Sequence, residues 1–575
     1  MSAVSTGDRD TPPRPDVGGG PGPGTRLPRR RGWGLPRSLR LAAALAGLAV
    51  IVFYLVIALS RVGYPFAIEW LESNSLVEVH RILAGQSLYP APGVGYVPDG
   101  YPPLYFAVSA AVAGVIGPSY LALRLVSLVS SLACFAVLAR LVQRETGSAA
   151  AGMAAAGLFA ATYFVTGTWF DVGRVDSLFL LFSAGGLYAV RWMTRRRGAV
   201  VAGVLLAAAF LTKQNGLAEG VAVLAALACG PRRRLAWPAA LTYAGLLGVS
   251  TLVLGLASHG WYLYYVFAEM AGHPLNAAAI AQFWTVSLLP TLGIAVCAAV
   301  LGARRTPLPL LAGCAALVVE GYAALVHSGG AANDLLPAYL VVALLAGLAM
   351  GLRPGGLIGD GLGRLGRLAR FGPSRLGDRH RDGAGPWVAA AASGLVVAQI
   401  AVLVSGFRPG GAIPGGADRR VGVRLVAGLR GLGGTVAVPA DPGLSLLAGL
   451  PPVAQQDAAS DVLRARDRSA IESFTHSAAR AVTARRFSAI ITELGADLHG
   501  YPQDLSRYYR RCPQPLLAGV PSGLFRPVAG AWARPVSLWL PAGRGSCATA
   551  VRALDGAGGR PAAHPVPTGR TGGPA

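Results

Sequence analysis

Apolar residues in this chain come in long blocks, each closed by a turn or an arginine cluster, and do not alternate with polar ones. Between residues 41 and 405 the blocks approach ~20 residues, the length that carries an α-helix across the hydrocarbon of a bilayer. The pattern predicts eleven spans: 41–60, 122–139, 149–168, 177–192, 199–212, 216–230, 235–256, 285–302, 308–326, 335–352 and 387–405. Arginines cluster before the first span (Arg29, Arg30, Arg31, Arg37, Arg40) and again at Arg140/Arg144, Arg195–Arg197, Arg232–Arg234, Arg304/Arg305 and 353–381. Alternating the spans puts every cluster on the side of the N-terminus, which the positive-inside rule makes cytoplasmic. Residues 103–117 are also apolar, but the run is short and follows Tyr101-Pro102-Pro103. Counting it as a span would move Arg140 and Arg144 outside, so it is predicted as a helix lying at the outer surface.

The flanks differ from this block. Residues 1–40 are rich in Pro, Gly and Arg and are expected to form a disordered basic cytoplasmic tail. Residues 61–121 form a large first outer loop. Residues 406–550 are expected to be a small extracytoplasmic α/β domain, with strands at Gly434–Ala440 and Phe487–Glu493 and helix over 458–484. Residues 551–575 are expected to be disordered. The fold class is therefore an all-α polytopic membrane protein of about 11 transmembrane helices, with a small C-terminal α/β domain.

Composition supports the membrane reading. The 575 residues are 53% hydrophobic and 14% charged, against about 25% charged in soluble domains. The formal net charge of +24 would also suit a nucleic-acid binder. Its arginines sit between spans, however, so it is read as topology and no nucleic-acid partner is expected. Richness in Ala, Gly, Pro and Arg fits a GC-rich bacterium, with the chain in its cell membrane. Cys134, Cys229, Cys297 and Cys314 lie in spans without ligand spacing and read as small core residues. Cys512 and Cys547 could pair if the C-terminal domain faces an oxidising compartment, and the sequence leaves that open.

The candidate chemistry lies in the outer loops. Glu69 and Glu72 follow the first span among aromatics, where partial desolvation suits a carboxylate to act as a general base. In the second loop Asp171, Arg174 and Asp176 crowd a span mouth, and Asp171 and Arg174 are spaced to pair if helical. Lys213, the only lysine in the chain, stands with Gln214 and Asn215 at a break between two short apolar segments and could meet a phosphate. His273 and Asn333 occupy the later loops. A structural ion pair, an interfacial lysine, an aromatic belt and a plain turn account for these features equally well. There is no P-loop, so ATP-driven work within this chain is not expected.

The layout resembles the GT-C superfamily of membrane glycosyltransferases, nearest the branch holding aminoarabinose transferases, protein mannosyltransferases of glycosyltransferase family 39 and rhizobial Rgt-like enzymes. The resemblance is carried by the acidic residue after the first span, Tyr101-Pro102-Pro103-Leu104-Tyr105, Arg124-Leu125, Asp176, Phe210-Leu211-Thr212-Lys213 and Asn333 before Pro337, over residues 41–405. It implies inverting transfer of a hexose or pentose from a polyprenyl-phosphate donor to a hydroxyl of a lipid, polysaccharide or protein acceptor. Glu69 would be the base, with Glu72 in reserve, and Arg124 and Lys213 would hold the donor phosphate. Tyr101, Asp171, Arg174, Asp176, Gln214, Asn215, His273 and Asn333 would face substrate. Relatives differ in metal use, so a divalent ion stays open and none is assigned. A transporter or flippase of lipid-linked sugars and a non-catalytic envelope assembly protein remain alternatives.

Overall fold

The computed structural model describes residues 35–351, 384–493, 500–501, 505–530 and 533–555. Most of the basic tail, the arginine-rich segment 353–381 and the end after 555 lie outside the described residues. In lipid a backbone must satisfy its own hydrogen bonds, and the described apolar runs are helical. Among the described residues seven helices are long and apolar enough to cross a membrane: Arg37–Arg61, Tyr120–Thr146, Arg233–Ala257, Ala277–Ala303, Leu308–Val326, Ala332–Ala349 and Trp387–Ser405. Four predicted spans are shorter helices: Ala149–Ala161 and Gly216–Ala228 of 13 residues, Asp176–Trp192 and Arg196–Thr212 of 17. The predicted span 149–168 passes from α-helix into a 3-10 turn at Thr162–Phe164, and Gly167 (φ 82°) and Thr168 (φ 65°) lie outside helical conformation.

The helices pack through small residues, as expected where lipid supplies no hydrophobic drive between them. Gly47 of the first helix faces Met153 and Gly157, and a Cβ at Gly47 would stand 2.7 Å from the Met153 carbonyl oxygen. The apolar run after Pro103 forms the helix Leu104–Ile116. Its 13 residues rise about 20 Å at 1.5 Å each, the same length as Ala149–Ala161 and Gly216–Ala228. It packs with the loop helix Glu72–Leu83 in a separate core of Leu76, Val79, Tyr105, Phe106 and Ala110.

The C-terminal domain carries a four-stranded mixed sheet: β1 (Thr435–Ala437), β2 (Phe487–Thr492), β3 (Tyr509–Arg511) and β4 (Ser537–Pro541), in the order β1-β2-β4-β3. β1 and β2 are parallel, and β4 pairs antiparallel with both neighbours. β1 and β2 fall within the two predicted strands. The predicted helix 458–484 is two helices, Gln456–Arg464 and Arg468–Thr483. Arg466 at φ 60° breaks it, and the Asp467 side chain accepts the Ala470 N–H to start the second helix. The final helix runs to Asp555, beyond the expected onset of disorder at 551. A Cys512–Cys547 disulfide ties that helix to the end of β3.

This domain grips the long loop 61–121. The Val528 and Ala529 N–H groups both donate to the Ile68 carbonyl (2.9 and 3.0 Å), and the Ala454 N–H donates to Val94 (2.9 Å). Phe525 meets Phe66 edge to face.

Candidate active site

A cavity of ≈ 750 Å³ opens between the loops that join the membrane helices and the C-terminal domain. Its wall has two parts. One is polar, with Tyr101, Arg174, Lys213, Gln214, Asn215 and Asn333; the other is apolar, with Leu217, Val221, Val319 and Ala323 from the helices Gly216–Ala228 and Leu308–Val326. His273, His327 and Asp461 close the end nearest the C-terminal domain.

The polar wall is assembled from distant segments. The helix Arg196–Thr212 ends at Lys213, where the chain turns extended (ψ 127°) before Gly216 opens the next helix. That break delivers the ammonium to Asp176 (2.8 Å) and Asp334 (3.1 Å). Asn333 Nδ2 donates to the same Asp176 oxygen at 3.2 Å. Three predicted site segments thus meet at one buried cation. Gln214 Nε2 donates to the Gly100 carbonyl at 2.9 Å, joining this cluster to the first loop.

Glu69 lies at the other edge, beside the wall residues Trp70 and Leu71. It is fully buried. One carboxylate oxygen accepts the Leu71 N–H at 3.0 Å and stands 3.9 Å from Arg174 Nε, and the other has no partner. Burial pushes its pKa up to about 8 against the nearby Arg174 charge, with Glu72 and Asp99 adding to the rise. A buried carboxylate with a spare lone pair can accept a proton near neutral pH.

Three expected roles meet different geometry. Glu72 does not stand free as a reserve base: it accepts from Arg124 Nε and Nη2 (2.8 and 2.7 Å) and from the Ile68 and Gly173 N–H groups. Arg124 and these bonds hold its carboxyl below the usual range despite burial. Arg124 does not reach the cavity. Its remaining donors go to the Tyr64 and Phe66 carbonyls (2.6 Å each), so it splints the loop leading to Glu69. Asp171 and Arg174 do not pair, because the segment is a three-residue turn (Trp169–Asp171) followed by extended chain. Asp171 binds Arg61 instead, and Arg174 faces Asp99 and Glu69.

His273 lines the cavity, stacks on His327 with ring centroids 4.7 Å apart, and places its nitrogens against the Ser328 and Asp461 carbonyls. Burial lowers its pKa. Several residues escaped the sequence reading. Asp99 sits two positions before Tyr101, the one available signal for it. Glu219 and Glu320 lie within the apolar helices, where the Glu219 N–H donates to a Glu320 oxygen at 3.1 Å. Among the described residues no cluster of three metal-binding side chains occurs.

Residues 100–262 match the family of dolichyl-phosphate-mannose-protein mannosyltransferases. The fold is similar to that of ArnT from Cupriavidus metallidurans. The undecaprenyl phosphate-bound structure of that protein superposes with a TM-score of 0.52 at 15% identity, over 86% of this chain and 97% of that one. The apo structure gives 0.53 over the same shares. An oligosaccharyltransferase of Archaeoglobus fulgidus, AglB, is also similar, at 12% identity and TM-score 0.44 over 77% of this chain and 69% of that one. No curated protein shows significant sequence similarity to the chain. The family match covers Tyr101, Arg124, Arg174, Asp176 and Lys213 and begins after Glu69.

Proposed function

We propose that this protein transfers a sugar from a polyprenyl-phosphate donor to a hydroxyl of a cell-envelope acceptor, on the extracytoplasmic side of a bacterial cell membrane. The observation that carries the reading is the two-part cavity, with an apolar groove fit for a prenyl chain running up to a buried cation pair, Lys213 and Arg174. The ArnT structure that shares this fold holds undecaprenyl phosphate, which supports a lipid phosphate as the donor's carrier.

The acceptor oxygen attacks the anomeric carbon from the face opposite the phosphate and inverts it. Its proton passes to the free oxygen of Glu69. The bond from the anomeric carbon to the phosphate oxygen breaks, and the polyprenyl phosphate leaves with its electron pair. Lys213 and Arg174 lower the barrier by meeting the charge that develops on that phosphate. Tyr101, Gln214, Asn215 and Asn333 line the space left for the sugar. Asp176 holds Lys213 in place.

Feeding membranes a labelled polyprenyl-phosphate sugar tests the reading. Wild type should transfer label, and Glu69→Gln should not, although the variant inserts and folds. Full transfer by the variant removes Glu69 as the base. Movement of intact lipid-linked sugar without transfer would favour a flippase.

A further inference from the structure

Arg174 has more claimants than it can satisfy equally. Its Nη1 donates to Asp99 Oδ2 at 3.2 Å and its Nη2 to the Tyr101 hydroxyl at 3.2 Å. Its Nε has no hydrogen-bond partner and stands 3.9 Å from Glu69, outside hydrogen-bond range. The free Nε of Arg174 and the Glu69 oxygen that accepts the Leu71 N–H therefore face a short gap that neither closes.

Asp99 keeps that gap open. It is buried and anchored on both sides: its second oxygen accepts Asn74 Nδ2 at 2.8 Å, and its backbone N–H donates to Glu78 Oε1 at 2.8 Å. Asn74 and Glu78 lie on one helix, Glu72–Leu83, which packs against the next loop helix. Asp99 is thus a fixed carboxylate to which the guanidinium is drawn. A carboxylate in full contact with a buried arginine is a weak base, and one left without any cation in an apolar site stays protonated. Glu69 is held between these limits.

We infer that Asp99 is a positioning residue, which holds the Arg174 guanidinium off Glu69 and so sets how readily Glu69 takes the acceptor's proton. The inference rests on Glu69 being the base. Glu69 faces Arg174, Glu72, Asp99 and the Leu71 N–H. Asp99 faces Arg174, Asn74, Glu78, Glu269, Asp457 and Asp461, and Arg174 also faces Tyr101, Asp176 and Asp461. Burial raises the pKa of Asp99 while Arg174 opposes the rise, so the arginine is shared by two destabilised carboxylates.

The test is the pH profile of transfer by full-length protein in membranes. Removing the Asp99 charge takes away a repulsion on Glu69 and frees Arg174 to close on it, and both effects act in the same direction. Asp99→Asn should move the acid limb down by about one pH unit. It should also lower the plateau rate several-fold, because the base is weaker. Asp99→Ser removes the charge without setting an amide NH2 against the guanidinium, and should shift the limb the same way if Asp99→Asn fails to fold. Arg174→Gln should move the limb up. A limb that stays put or rises in both folded Asp99 variants overturns the inference while leaving Glu69 as base. Transfer by Glu69→Gln overturns both readings together.

Discussion

Arg61, the last residue of the first membrane helix, closes a two-point ion pair on Asp171 of the loop before the helix Asp176–Trp192, at 2.8 Å through Nε and 2.6 Å through Nη2. Both are buried, and Arg61 also donates to the Thr168 side chain and carbonyl. The pair fixes the loop that carries Arg174 to the end of a membrane span. Removing one partner strands the other charge. Arg61→Met should therefore cost about 3–5 kcal/mol, read as a lowered unfolding midpoint in detergent. The double variant Arg61→Met/Asp171→Leu should recover much of that loss. Equal loss in both would show that the stranded charge is not the cause.

Transfer by the wild type should depend on pH through Glu69. Burial raises its pKa to about 8, so the carboxylate that accepts the proton is the minor form at lower pH. The rate should rise tenfold per pH unit below that point and level off above it. Initial rates with saturating donor would show this. A profile flat from pH 5 to pH 9 would exclude this carboxylate as the base.

Lys213 joins the Asp176 and Asp334 carboxylates at the polar end of the cavity. Lys213→Met should lower the transfer rate about 10²–10³-fold, the usual loss of one group that stabilises developing charge. Lys213→Arg should restore only part of it, since a planar fork does not fill the place of a compact ammonium. An activity near wild type in Lys213→Met would remove the lysine from the phosphate site.

The Cys512–Cys547 disulfide closes a sequence separation of 35 residues. Chain entropy puts its stabilisation at about 4 kcal/mol. Cys512→Ala/Cys547→Ala should make the C-terminal domain markedly more sensitive to limited proteolysis, with the cleavages near β3 and the last helix. Unchanged proteolysis would show that the sheet and its docking on the first loop suffice.

Much of the architecture was legible because lipid imposes a length rule that a linear pattern can express. The apolar runs marked helices, and the short run after Pro103 is a helix of 13 residues, as long as two of the predicted spans. β1 and β2 were legible as apolar β-branched runs. β3 was not, because Tyr509–Arg511 has three residues and no alternation to detect. Within the site, Tyr101, Arg174, Lys213, Gln214, Asn215, His273 and Asn333 were singled out by their place in outer loops, and the cavity brings them together. Glu72 and Arg124 were equally prominent in the sequence but point at each other.

The chain's own order of residues determined a membrane-embedded helical block, the loops that hold its charges and the presence of a separate C-terminal domain. Periodicity and length are local properties, so one sequence suffices to read them. Only the tertiary structure decided which charges neutralise one another and which remain for chemistry. Arg61 meets Asp171 across 110 positions, Arg124 meets Glu72 across 52, and Lys213 meets Asp334 across 121. In a low-dielectric interior each cation is bound to the carboxylate brought nearest by packing, and sequence spacing carries no record of that distance. Among the carboxylates this pairing leaves with a free oxygen is Glu69, beside the cavity.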